Sequence, residues 1–164
     1  MMKKVLWIFL ALVGSVAAAA AENGGKASEA DLIAVGSRIY REGILISGQP
    51  LTGELPGDIK MADTQAACVK CHKRSGFGSS EGGKSVPPLT RNELYQPMAA
   101  RGIKLYGAQN RPKSAVRPAY TDESLAKALR EGVDPMGRRL LAPMPRFALS
   151  DNDMAALVAY LKTL

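Results

Sequence analysis

Three stretches of the chain carry apolar residues at helical spacing, each bracketed by residues suited to starting and stopping a helix. In the first, Leu32, Val35, Ile39 and Tyr40 share one face, Ser28 can cap the start, Glu29 and Asp31 suit the positive end, and Gly43 closes the run, predicting a helix over about 29–42. Gly36 lies on that same face, where the missing side chain lets another helix approach closely. Thr121 begins the second: Asp122 and Glu123 occupy the first turn, Leu125, Ala126 and Leu129 form an apolar stripe, and Gly132 stands at the end. The third starts at Ser150, where Ser150-x-x-Asp153 resembles a capping box, and runs through Met154, Leu157, Val158 and Leu161.

The intervening segments lack this period. Residues 43–67 contain Gly48, Pro50, Gly53, Pro56 and Gly57 and read as a loop or a small hairpin. Residues 75–85 are rich in Gly and Ser and end in Val86-Pro87-Pro88-Leu89, after which a short helix is expected around 91–100, capped by Thr90 or Asn92. No segment alternates with period two for long enough to predict a sheet, and no internal repeat is apparent. The expected fold class is therefore all-α.

The N-terminus changes what counts as the folded domain. Lys3 and Lys4 precede an apolar run from Val5 to Val13 and the small residues of 14–21, the pattern of a secretory signal peptide. Its strongly apolar part is shorter than the ~20 residues a membrane span needs. Residues 1–21 are expected to be removed on export to the periplasm, leaving 22–164 as one domain with no stable membrane insertion. No Cys lies near the cleavage site, so no lipid anchor is expected.

Charge is unevenly spread. Residues 68–120 hold 10 basic and 2 acidic side chains, whereas residues 22–67 hold 4 and 7 and residues 121–164 hold 6 of each. The central segment thus carries the whole positive excess, which suits docking of an acidic partner as well as plain solubility. Export and an aromatic content of 5% argue against nucleic acid as that partner.

Cys68-Val69-Lys70-Cys71-His72 is C-x-x-C-H, the pattern of covalent c-type haem attachment. Two thiols three residues apart on one turn can reach the two vinyl groups of a single haem, while the next side chain, His72, meets the iron. A redox dithiol would suit an oxidising compartment, but the flanks lack a βαβ pattern, and a zinc site would need more ligands. The chain has only two Cys and one His, all inside these five residues, so a second haem of this type and bis-His ligation are excluded.

A sixth iron ligand must come from elsewhere, and thioether sulfur is a suitable soft donor. Met154 falls on the apolar stripe of the last helix and reads as core, and Met61 lies on the side from which the chain enters the motif. Met144 lies in Ala142-Pro143-Met144-Pro145-Arg146, where prolines restrict the backbone on both sides and favour it as the ligand. Met136, in a Gly- and Arg-bearing turn, and an open iron site are the alternatives.

The sequence resembles the class I, mono-haem c-type cytochromes. The likeness runs through the helix with Gly36 and Tyr40, C-V-K-C-H, V-P-P-L, Y-T-D-E-S-L, G-V-D-P-M-G-R, M-P-R-F and the terminal L-S-D-N-D-M-A-A-L-V-A-Y-L. It implies the helical cytochrome c fold, with the first and last helices crossing at Gly36 and Tyr40 against residues 157–161. It also implies Met144 as distal ligand, the Pro87 carbonyl as hydrogen-bond acceptor for the His72 ring, and Leu89 packed on the haem. One departure is the loop-rich insertion of some 25 residues between the first helix and the haem motif.

With His72 and Met144 both on iron there is no position for substrate, so outer-sphere electron transfer with redox partner proteins is expected, and no enzymatic activity. A haem subunit of a periplasmic dehydrogenase and a ligand-binding haem protein with an open iron site are the other readings.

Overall fold

The computed structural model describes residues 28–81, 84–97 and 117–164. The expected signal segment 1–21, the end of the expected helix around 91–100 and much of the basic segment lie outside them.

The three helices foreseen from periodicity form, and their ends are set by the expected side chains. Helix α1 is Glu29–Glu42, with Ser28 and Asp31 completing a reciprocal capping box and Gly43 in the left-handed region at φ 69°. The next six elements are short: β1 Thr52–Leu55, β2 Ile59–Ala62, α2 Asp63–Ala66, α3 Val69–His72, β3 Ser79–Glu81 and β4 Lys84–Val86. Then come α4 Arg91–Tyr95, α5 Asp122–Glu131, β5 Arg146–Phe147 and α6 Asp151–Leu161. Thr121 and Ser124 cap α5 reciprocally, and Gly132 ends it at φ 72°. Only half a capping box opens α6: the Ser150 hydroxyl accepts from the Asp153 N–H, while Oδ1 of the buried Asp153 accepts the backbone N–H of Ile46 at 2.9 Å. Helix α4 stops at Tyr95 because Gln96 precedes a proline and is held extended, at φ −115° and ψ 150°.

The core forms where α1 crosses α6. A Cβ built on Gly36 would lie 2.0 Å from the Ala156 carbonyl oxygen and 2.7 Å from the Tyr160 Cβ, so the two backbones touch there. The crossing thus falls on Ala156 and Tyr160, overlapping the expected 157–161 stretch and beginning one residue before it. Tyr40 and Tyr160 pack with ring centroids 5.3 Å apart, and Ile39, Tyr40, Leu51 and Leu157 are fully or almost fully buried. Replacing Gly36 by Ala should therefore destabilise the protein despite the better helix propensity of Ala. Overpacking of this kind costs about 3 kcal/mol, a fall of roughly 10 °C in a calorimetric melt.

Two expectations are corrected. The fold is not purely helical: β1 is the middle strand of a small antiparallel sheet ordered β2-β1-β5, and β3 pairs with β4. Strands of two to four residues are too short to show a period-two pattern. The hairpin reading of residues 43–67 holds, and its outer strand partner lies at the far end of the chain.

The chain also contains an internal repeat. Arg41-Glu42-Gly43 and Arg130-Glu131-Gly132 each end a helix and enter the same turn, with Gly48 and Gly137 at φ 80° and 75° and Leu51 and Leu140 at its exit. The hydrogen bonds correspond one by one: Leu51 N–H to Gly43 O at 2.7 Å and Leu140 N–H to Gly132 O at 2.8 Å, Leu45 N–H to Gln49 O at 2.9 Å and Asp134 N–H to Arg138 O at 2.8 Å. The turn interiors share so few side chains that the pattern is visible mainly in the backbone. The first copy leads into β1 and the second into the Met144 segment.

Candidate haem site

Cys68, Cys71 and His72 sit on one turn. Cys68 has helical backbone angles and immediately precedes α3, and its carbonyl accepts the N–H groups of Cys71 at 3.3 Å and His72 at 2.9 Å. The two cysteines are not joined in a disulfide; Cys71 is exposed and Cys68 half-buried. Burial pushes the Cys68 thiol up to about 12.

The His72 side chain is buried, with the residue 5% exposed, and its Nδ1 lies 2.9 Å from the Pro87 carbonyl oxygen. A carbonyl can only accept, so Nδ1 must carry the proton and the Nε2 lone pair is left free for a metal. Burial holds the imidazole below its ordinary pKa, the hydrogen bond to Pro87 opposing it, so the neutral, ligating form is favoured. A histidine that ligates a metal through Nε2 carries its proton on Nδ1 in this way.

Several side chains missed by sequence reasoning hold this turn. The hydroxyl of fully buried Tyr40 donates to the Lys73 carbonyl at 2.7 Å, tying α1 to the residue after His72. The Ser79 hydroxyl donates to the Cys71 carbonyl at 3.0 Å, and the Gly78 N–H donates to the His72 carbonyl at 3.0 Å. Gly78 has φ 76°, and a Cβ there would meet the Val86 carbonyl oxygen at 2.1 Å. Only glycine lets the 76–78 loop lie flat against the strand that delivers Pro87. The available signal was the requirement that a buried tyrosine hydroxyl find a partner.

The remaining expected residues fall into two groups. Leu89, whose N–H donates to the Gly76 carbonyl at 2.6 Å, is partly buried and packs against the main core, as do Cys68, Val69 and Met144. Met144 lies between Pro143 and the buried Pro145, with its N–H donating to Leu141 O at 3.1 Å. Met136 is exposed, in a turn where Asp134 Oδ1 accepts the N–H groups of Met136 at 2.8 Å and Arg138 at 2.9 Å. Burial pushes the Asp134 carboxyl up, but its hydrogen bonds to Arg138 and Met136 prevail and hold it below the usual carboxylate range. Met154 is buried on α6 and Met61, on β2, packs against the core. Among the described residues no group of three or more His, Cys, Asp and Glu side chains forms a metal site.

A family model described as Cytochrome c matches residues 62–164. The chain belongs to the cytochrome c family. Its cofactor is accordingly covalent haem c with its iron, and the donor set of two thiols on one turn beside an oriented imidazole fits that group. Members of this family are in general electron carriers. The match starts at the last residue of β2 and leaves α1 and most of the β1–β2 hairpin outside it. No curated protein and no solved structure matches the chain. No helix among the described residues is long and apolar enough to cross a membrane.

Proposed function

We propose that this cytochrome is an exported, periplasmic one-electron carrier, with haem attached at Cys68 and Cys71 and iron ligated by His72 and Met144. The observation that carries this reading is the buried His72 ring, fixed by the Pro87 carbonyl so that Nε2 is free, on the same turn as the two thiols. The bound haem supplies a one-electron couple.

The chain's own residues would do the rest. Cys68 and Cys71 tether the group, so it is not lost when the protein leaves its partner. Pro87 raises the basicity of His72 through its hydrogen bond, and Leu89 and the apolar residues around it limit water access, which together set the potential. Met144 would offer its thioether sulfur to the iron and so hinder the binding of small ligands. Residues 1–21 serve as the export signal, and residues 43–67 form an insertion ahead of the haem motif.

The partner in this reading is an acidic redox protein. Lys70 and Arg74, beside the attachment turn, are exposed, and redox encounters usually bury small interfaces where rim charge affects association rate more than affinity. Two measurements test the proposal. Ferrous protein should resist carbon monoxide, and ready binding would instead favour an open-iron haem protein. Electron exchange with the native partner should slow about tenfold or more as the Debye length falls from ~10 Å at 0.1 M salt to ~3 Å at 1 M. Reversing Lys70 and Arg74 to Glu should lower both the rate and its salt dependence, whereas reversing Lys127 on α5 should leave them unchanged. A salt-independent rate would count against docking through this segment.

A further inference from the structure

We propose that the β1–β2 hairpin is a brace for the Met144 loop, holding the thioether where it must sit and limiting how often it swings away. The inference rests on the reading of Met144 as an iron ligand, and the hairpin residues Gly53 and Glu54 that do the bracing lie outside the family match. Its basis is the strand order: β1 pairs on one side with β2 and on the other with β5, Gly53 opposite Phe147 and Glu54 opposite Arg146. Met144 stands two residues before β5, so the first backbone pairing after the ligand is made with this hairpin.

The brace is itself anchored. Leu51, the residue leading into β1, is fully buried, and its carbonyl accepts the Asp63 N–H at 3.1 Å, closing the base of the hairpin. The turn before it is fixed to α6 through Ile46 N–H and Asp153. Force on β1 therefore bears on the α1–α6 core rather than on a free loop.

Three contacts join the brace to the ligand segment. The Ala148 N–H donates to the Thr52 carbonyl at 3.1 Å. Arg146 Nη2 meets Glu54 Oε1 at 2.7 Å. At Gly53 the backbones come close enough that a Cβ would lie 3.1 Å from the Pro145 Cβ and 3.2 Å from Phe147 Cδ1. On its other side the loop is tied at Leu140, whose N–H donates to Gly132 O at 2.8 Å. Met144 thus sits in a short span held at both ends, one by the turn after α5 and the other by the hairpin. A segment tethered at both ends has fewer conformations to visit than one tethered at a single end, so the ligand should dissociate less often.

The experiment uses the haem-loaded ferric protein well below its melting temperature. It reads the rate of cyanide binding, which needs an open axial position, and the weak sulfur-to-iron absorption at the red edge of the spectrum. Gly53→Val, which crowds Pro145 and Phe147, should speed cyanide binding by about tenfold, the scale of a 1.4 kcal/mol loss. Glu54→Gln and Arg146→Gln should each speed it by about two- to fivefold, the range open to an exposed ion pair. The charge-swapped double variant E54R/R146E should return toward the wild-type rate. Asp122→Asn breaks a comparable ion pair with Lys162, at 2.6 Å between α5 and α6, and should lower stability without changing the cyanide rate. Rates within twofold of wild type in all the Gly53, Glu54 and Arg146 variants, with the sulfur-to-iron band present, would overturn the brace alone. Absence of that band from the wild-type protein would overturn the Met144 reading and the brace with it.

Discussion

Protein carrying Ala at both Cys68 and Cys71, matured in a periplasm, is expected to hold no haem after acid–acetone extraction, whereas the unaltered protein should keep all of it. Single variants should retain one thioether and yield less loaded protein. The large effect follows from where the turn sits. Cys68, Val69 and Leu89 pack on the main core, and His72 is buried beside them. In a chain of this size a prosthetic group supplies a substantial share of the apolar surface around which the helices close. Loss of attachment should therefore also lower the steady-state level of folded protein. Mass spectrometry of the intact chain gives an independent reading of covalent loading, and complete extraction of haem from the unaltered protein would end the assignment of Cys68 and Cys71.

Removal of the Met144 thioether by Ala should abolish the sulfur-to-iron band and raise ferric cyanide affinity by on the order of ten- to a hundredfold, as expected when a competing ligand worth a few kcal/mol is lost. Met136→Ala should leave both unchanged. The contrast rests on their surroundings. Met144 is partly buried against the core between Pro143 and Pro145, while Met136 is exposed in a turn held together by Asp134. Reversal of the two outcomes would make Met136 the ligand. Because Ala also removes packing at position 144, thermal melts of both variants should accompany the spectra.

The attachment motif and the Pro87 assignment differ in how they could be read. C-x-x-C-H is complete within five residues, and the attachment chemistry is local to them. Pro87 entered through family resemblance, and its carbonyl oxygen lies 2.9 Å from His72 Nδ1. Tyr40, placed on an apolar helix face and at the crossing with the last helix, also holds the residue after His72. Its hydroxyl has no role that helical periodicity could reveal.

Residue order alone was enough for α1, α5 and α6, their caps at Ser28, Thr121 and Ser150, and their left-handed ends at Gly43 and Gly132. Those features depend on hydrogen bonds between residues three or four apart, so the deciding groups are neighbours in the chain. The pairing of β1 with β5, the anchoring of Ile46 by Asp153 and the ion pair of Glu54 with Arg146 join residues about a hundred positions apart. Nothing within β1 or β5 specifies its partner, since two to four residues carry too little pattern to fix a register. Their pairing depends on tertiary packing: the α1–α6 crossing at Gly36 and the buried Leu51 hold the two ends of the chain together.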